Sequence, residues 1–357
     1  MIATPAKGVI PTQSDMNLVT SEKNNLSGAR GDGARVNNDP RDGNMQRQNS
    51  QPRRDKRDIH GWIVLDKPIG MTSTQAVAVV KRLFSAKRAG HAGTLDPLAS
   101  GGLPIALGEA TKTVPFVMDG RKRYRFIVRW GEERDTDDTE GRVVKTSDIR
   151  PSADAIRALL PQFTGLIEQT PPRYSAIKVQ GERAYDLARD GEIVELAPRP
   201  VEIHQLTLVE QIDGNLSVFD AECGKGTYVR ALARDLGRAL KCLGHVAALR
   251  RTAVGPFGED VASSLDALQR ICSGGGDVPE RAALLPIEAG VAALPALRVS
   301  PGDAGRLARG QAVLLRGRDA PVIGGWVTVF SQGALIALAE VEKGEVRPRR
   351  IFNLPRG

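Results

Sequence analysis

From Arg123 to Trp130 the chain alternates strictly, with Tyr124, Phe126, Val128 and Trp130 on one side and Arg123, Arg125 and Arg129 on the other. Only an extended strand sorts side chains with a period of two, so this segment reads as a half-buried strand with a basic outer face. A sheet with one apolar face needs cover. Two segments can supply it. After Thr72, Ser73 and Thr74, which offer N-capping hydroxyls, Ala76, Val79, Val80, Leu83 and Phe84 recur at helical spacing; Val229, Leu232, Ala233, Leu236 and Leu240 do the same before a stop near Gly244. Each helix follows a strand-like run: His60 to Asp66, closed by Lys67, Pro68 and Gly70, and Leu216 to Cys223.

Residues 1–58 are of another kind, with no Phe, Trp or Tyr and only 14 apolar residues. Such a segment cannot bury enough surface to offset its ordering entropy, which predicts a disordered extension and order from about Ile59. Ser85 to Thr94 reads as a basic, glycine-punctuated loop, and Arg134 to Gly141, with Asp135, Asp137, Asp138 and Glu140, as an acidic one. Gln169 to Pro200 carries Pro171, Pro172, Pro198 and Pro200 around a short helical stretch at Ala184 to Asp190, which suggests an excursion from the main sheet. Beyond Pro295, short β-rich pieces at Ala312 to Leu315, Trp326 to Phe330 and Ala334 to Val341 predict a small separate β-domain, beside which Arg347, Arg349 and Arg350 cluster.

The longest unbroken apolar run, Ala334 to Ala339, has six residues. A bilayer-spanning helix needs roughly 20, so no membrane span is expected. The first 20 residues hold no basic segment followed by an apolar one, and Cys223, Cys242 and Cys272 cannot make a disulfide framework, which together predict a reduced, cytoplasmic protein. An excess of 50 Lys and Arg over 42 Asp and Glu favours an anionic partner. With only 4% aromatic residues, a wide stacking platform for single-stranded nucleic acid is not expected. The histidines at 60, 91, 204 and 245 are far apart, and there is neither Cys-x-x-Cys nor His-Glu-x-x-His, so no dedicated metal site is predicted. Gly224-Lys225-Gly226-Thr227 lacks the opening Gly of a phosphate-binding P-loop, since position 219 is Phe. Ser100, His91 and Asp96 could be drawn as a triad, but no Gly-x-Ser-x-Gly elbow carries the serine, which disfavours a hydrolase.

The block from Arg88 to Pro104 holds one carboxylate, Asp96, in a backbone made irregular by Gly93, Pro97, Gly101, Gly102 and Pro104. Taken alone, Asp96-Pro97 is a turn dipeptide. Lys87, Arg88 and His91 in the same stretch point further, because a carboxylate set among cations is held charged and poised as a nucleophile or base.

Gly90-His91-Ala92-Gly93-Thr94-Leu95-Asp96-Pro97-Leu98-Ala99-Ser100-Gly101 resembles the signature of the bacterial tRNA pseudouridine-55 synthases of the TruB type. Leu65-Asp66-Lys67-Pro68, Gly108-Glu109-Ala110-Thr111-Lys112, Lys122-Arg123-Tyr124-Arg125, Pro172-Arg173-Tyr174-Ser175-Ala176 and Lys225-Gly226-Thr227-Tyr228-Val229-Arg230 recur in the same order, so the resemblance covers about residues 59–355. It implies an α/β (mixed α+β) pseudouridine synthase core over residues 59–295 with a mixed antiparallel sheet, an RNA-clamping insertion at 172–200 and a PUA-like domain at 296–357. It implies further that Asp96 is the nucleophile, Tyr124 stacks on the flipped uracil, Tyr228 lines the pocket, Arg230 pairs with Asp96 and Leu249 packs against the base. His91 would fill the space that the base vacates in the T-loop. Lys67, Arg88 and Lys112 would contact phosphates, and Asp138 would border the cleft. From its alternating strand alone, Tyr124 reads as core.

The implied reaction breaks the C1'–N1 glycosidic bond, turns the uracil and joins C5 to C1', so it calls for no metal, redox partner or other cofactor. The implied partner is tRNA, at its T-loop and T-stem, bound by a monomer. Extruding a stacked base costs a few kcal/mol, which aromatic stacking and phosphate contacts offset. One position departs from the family pattern: Ala92 stands where Thr is usual, and the missing hydroxyl would cost the loop about 0.5–1.5 kcal/mol of anchoring. Two other readings make different predictions. A tRNA-binding folding aid would work without Asp96, and a general basic DNA-binding protein would bind duplex DNA with strong salt dependence.

Overall fold

The computed structural model describes residues 55–175, 178–179, 182–183, 196–273, 283–315 and 323–354. The described chain starts before the expected onset at Ile59: Arg57 N donates to Ser85 O at 2.7 Å and pairs with Ala86 in an isolated bridge.

In chain order the elements are β1 (Gly61–Lys67), α1 (Ser73–Leu83), β2 (Ala89–His91), β3 (Ser100–Leu107), α2 (Val114–Asp119), β4 (Lys122–Trp130), β5 (Glu132–Arg134), β6 (Val143–Thr146), α3 (Ala153–Leu159), β7 (Gly165–Gln169), β8 (Lys178–Val179), β9 (Glu182–Arg183), β10 (Arg199–Gln211), β11 (Leu216–Cys223), α4 (Val229–Ala239), β12 (Gly244–Val254), β13 (Phe257–Gly258), β14 (Ala262–Ser264) and α5 (Leu265–Ser273). They are followed by β15 (Ala296–Arg298), α6 (Pro301–Ala308), β16 (Val313–Leu314), β17 (Gly325–Ser331), β18 (Ala334–Glu342) and β19 (Glu345–Ile351). The main sheet runs β14-β1-β3-β12-β4-β11-β10-β7, with β2 added to β3 and β13 to β12. Its β1–β14 and β3–β12 pairs are parallel and the others antiparallel, so the sheet is mixed.

Phe126, Val128 and Trp130 of β4 join Ala76 and Val80 of α1 and Val229, Leu232, Ala233 and Leu236 of α4 in the largest apolar cluster. The two helices therefore cover the alternating strand's apolar face. Ile63 and Leu65 of β1 belong to that cluster, whereas Trp62 and Val64 belong to a second one with Val254, Phe257, Leu335 and Phe352. Burial on both faces is why β1 reads as a continuous apolar run and not as an alternation. Helix α1 starts in a capping box, with Gln75 N donating to Thr72 Oγ1 at 3.1 Å and Thr72 N to Gln75 Oε1 at 2.9 Å.

Two local expectations need correction. The loop expected from Ser85 to Thr94 contains β2, because pairing with β3 satisfies its backbone without an apolar face. The irregular backbone expected through Pro104 ends before Ser100, where β3 begins; Pro104 fits there because its carbonyl is what the neighbouring chain uses, accepting from Ala92 N at 2.9 Å. The helical stretch expected at Ala184 to Asp190 lies outside the described residues. At the C-terminal end, β15-β17-β18-β19-β16 form a five-stranded sheet around Leu307, Val327, Val329 and Val346. Lys112 Nζ donates to Ile351 O at 2.6 Å and Asn353 N to Glu109 Oε2 at 2.7 Å, which ties this end to the first half of the chain. Among the described residues no helix is long and apolar enough to cross a membrane.

His245, on β12, is fully buried with Nδ1 3.1 Å from Glu132 O, and burial pushes its imidazole down to about 4. In the unfolded chain a histidine titrates near 6.5. The unfolded state therefore binds a proton that the native state excludes, so stability is complete above about pH 6.5 and falls as the pH drops toward 4, by about 3 kcal/mol at the limit. Urea midpoints at pH 7.5 and 4.5 should differ more for the parent than for His245→Gln. Equal pH slopes in the two proteins would remove His245 as the cause.

Candidate active site

Asp96 sits on the turn between β2 and β3, at the floor of a cleft of about 1130 Å³. His91, Tyr124, Asp138, Tyr228, Arg230 and Leu249 line the same cleft. Seven of the ten residues singled out in the sequence thus converge, from β2, β4, β12, the start of α4 and two loops.

The turn is held from three sides. Ser73, the first residue of α1, both accepts from Leu95 N and donates to Leu95 O, each at 2.9 Å. Arg251 of β12 reaches the carbonyls of Gly93, Thr94 and Gly102 at 3.1, 3.1 and 2.9 Å. Lys67 Nζ donates to Pro68 O and Met71 O at 2.9 Å each and lies 3.4 Å from Pro97 O. Gly101 makes the approach of β12 possible: its φ is +103°, and an added Cβ would lie 2.3 Å from Arg251 O. The turn's anchoring does not depend on the side chain at position 92. The Ala92 methyl is buried in the second apolar cluster, and its N–H is satisfied by Pro104 O.

Arg230, 5% exposed, faces Asp96 from inside. Its Nε lies 2.9 Å from Asp96 Oδ2 without the alignment of a hydrogen bond, so this contact is an ion pair. Nη1 donates to Thr136 O at 3.0 Å and lies 3.4 Å from Asp138 Oδ2, and Nη2 donates to Tyr174 O at 2.9 Å. Asp138 is buried, and desolvation raises its carboxyl above the ordinary range against the opposing pull of Thr136 and Arg230. Its Oδ1 accepts from Thr136 Oγ1 at 2.6 Å and Glu140 N at 2.9 Å. Asp96 keeps 34% of its side chain exposed to the cleft.

Arg230 is one rung of a ladder on α4. Arg234 Nη1 meets Asp137 Oδ2 at 2.9 Å, and Arg238 grips Glu133 through Nε and Nη2, both at 2.8 Å. Side chains four apart share a helix face, so the three arginines together fasten β5 and the acidic loop against α4. The sequence carried that signal in the spacing of Arg230, Arg234 and Arg238, but Arg234, Arg238 and Arg251 were not singled out.

The aromatic residues are placed by backbone. Tyr124 is half-buried on β4, with its hydroxyl raised by burial and countered by Arg251. Tyr228, the N-cap of α4, is held by Gln169, which accepts from Tyr228 N at 2.8 Å and donates to Tyr228 O at 3.2 Å. Burial, reinforced by Arg251, lowers the His91 imidazole, and its Nδ1 is buried with no hydrogen-bond partner.

Three expected phosphate contacts lie elsewhere. Lys67 is fully buried, with its ammonium lowered to about 8 by desolvation and its donors turned to carbonyls, so it braces the Asp96 turn and has no surface to offer a phosphate. Arg88 and Lys112 line a second depression of about 680 Å³ with His60, Lys87 and Phe352. There Lys112 is engaged by Glu109 at 2.6 Å and by Ile351 O. On the basic outer face of β4, Arg125 pairs bidentately with Asp220 of β11 at 2.7 Å.

Two solved structures share the fold. A Cbf5-Nop10-Gar1 complex matches at 27% identity with a TM-score of 0.65, covering 82% of this chain and 84% of that one. An H/ACA RNP bound to a substrate RNA containing 2'-deoxyuridine matches at 26% identity with a TM-score of 0.65, covering 83% and 86%. With the cleft, this architecture defines a pseudouridylate synthase. The chain belongs to the TruB family: residues 81–229 match the TruB family pseudouridylate synthase N-terminal domain, and residues 230–292 match the tRNA pseudouridylate synthase B C-terminal domain. Among its relatives, a tRNA pseudouridine synthase B of Rhodopseudomonas palustris is 71% identical over 324 residues, 90% of this chain and 88% of the relative. One of Agrobacterium fabrum is 56% identical over 301 residues, 83% and 95% of the two chains.

Proposed function

We propose that this enzyme converts the uridine at position 55 in the T-loop of tRNA to pseudouridine, with the Asp96 carboxylate as nucleophile. The observation that carries the reading is Asp96 itself, presented to the cleft on a clamped turn with Arg230 at 2.9 Å. The guanidinium orients the carboxylate, and the fixed turn limits the motion that attack on the sugar–base unit requires. Tyr124 and Leu249 offer the flat and the apolar contacts that an extruded pyrimidine needs, and Tyr228 closes the pocket beside them. His91, at the cleft wall, takes the place of the departed base. Arg88, exposed on the side of the second depression, remains a candidate phosphate contact.

Residues 296–357 would form a PUA-type domain, and the enzyme would act as a monomer in the cytoplasm. An unmodified tRNA transcript incubated with the protein, without added metal or nucleotide, should acquire one pseudouridine, mapped by chemical modification and primer extension to position 55. Modification at another position would overturn the site assignment, and none at all would overturn the activity on tRNA.

A further inference from the structure

We propose that Arg251 is a positioning residue for this reaction, holding the Asp96 turn and the Tyr124 ring as one body. The inference rests on the reading of Asp96 as nucleophile. Arg251 is 1% exposed, and a buried guanidinium ordinarily meets a carboxylate. Among the described residues none pairs with it. Its nitrogens go to backbone instead: Nη2 to Gly93 O, Nη1 to Thr94 O and Nε to Gly102 O. These carbonyls lie on both sides of Asp96 in the chain, so one rigid group spans the turn that carries it. Across the β12–β4 pairing Arg251 stands opposite Tyr124, and its charge opposes the upward shift that burial gives the Tyr124 hydroxyl.

Position and chemistry agree. Arg251 stands opposite Gly101 in the parallel β12–β3 pairing and opposite Tyr124 in the antiparallel β12–β4 pairing. It is therefore the residue at which the strand bearing the turn's exit and the strand bearing the stacking ring are joined. Ser73 anchors Leu95 alone and reaches neither β4 nor β12. A planar fork with donors on three nitrogens fixes a turn in rotation as well as in translation, whereas a lysine ammonium supplies one point of attachment.

The test is single-turnover conversion of a tRNA transcript, with tRNA affinity and unfolding midpoint measured on the same samples, for the parent, Arg251→Lys, Arg251→Met, Tyr124→Phe and the Arg251→Lys/Tyr124→Phe pair. Misplacement of a reacting group by about 1 Å costs on the order of 100-fold. Arg251→Lys should therefore lose about 100-fold in rate with tRNA Kd within about twofold, and Arg251→Met should lose more. The double variant should lose less than the product of the single losses, because both changes disturb one paired position. A rate for Arg251→Lys within about twofold of the parent overturns the inference. So does a fall in rate matched by the fall in folded fraction or in tRNA binding, which is the signature of a purely structural residue. A parent that makes no pseudouridine overturns the nucleophile reading and this inference with it, whereas an active parent and an equally active Arg251→Lys overturn the inference alone.

Discussion

Asp96→Asn should bind tRNA and convert none of it. The substitution keeps the shape of the side chain and removes the charge that the proposed attack requires. Arg230 loses an ion-pair partner but stays tied to Thr136 O, Tyr174 O and Asp138, so the pocket's wall remains in place. Ser73 and Arg251 hold the turn through its backbone and do not use the Asp96 side chain. Affinity for tRNA should change by no more than a few-fold. Removing an enzyme's nucleophile costs on the order of 10⁴–10⁶ in rate, so primer extension should show no product over hours. Conversion at the parent's rate would dismiss Asp96 from its role, while loss of binding together with conversion would show that the carboxylate is a structural member of the pocket.

Arg230→Ala should damage both activity and fold. Removing one member of a buried ion pair costs about 3–5 kcal/mol because the other is left charged and unpaired, and global stabilities are only about 5–15 kcal/mol. The stranded group is Asp138, which burial already pushes toward the neutral form. Without Arg230 that upward shift grows. A carboxylate whose folded pKa lies above its unfolded value contributes stability that is present at low pH and lost as the pH rises through the folded pKa. The penalty of Arg230→Ala should therefore be larger at pH 7.5 than at pH 5.5, which urea unfolding at the two values measures directly. A loss below about 1 kcal/mol, or an equal loss at both pH values, would mean that Asp138 is paired or solvated by something else.

Much of the scaffold was legible because its elements are amphipathic. The alternation from Arg123 to Trp130 falls on β4, the run Leu216 to Cys223 is β11, and Thr72 caps α1 as its hydroxyl suggested. The 13-residue strand β10 was missed: Pro200 and the polar residues Glu202, His204 and Gln205 blur its period, and its register shifts at two places along β11. The cleft residues were legible through motifs, since periodicity assigned Tyr124 to the core and left Leu249 unmarked. The residues that hold the site together were not. Arg251 and Lys67 are basic side chains with buried heads, and their partners are carbonyl oxygens, which have no letter in a sequence. A pattern of apolar and polar residues cannot reveal a cation solvated by backbone.

The clamp on the turn has a bearing on how the enzyme is made. Ser73 precedes the carboxylate and can secure Leu95 across 22 residues, but the guanidinium that fixes Thr94 comes 157 residues further along. At roughly 5–20 residues per second, a ribosome adds that stretch in about 10–30 seconds. During that interval the turn has only Lys67 and Ser73, both made before it, to hold it. The guanidinium reaches the turn only when β12 has emerged and slotted between β3 and β4 in the completed sheet. The clamp on Asp96 is thus completed in two stages, the first from residues already made when the turn is synthesised and the second only with β12.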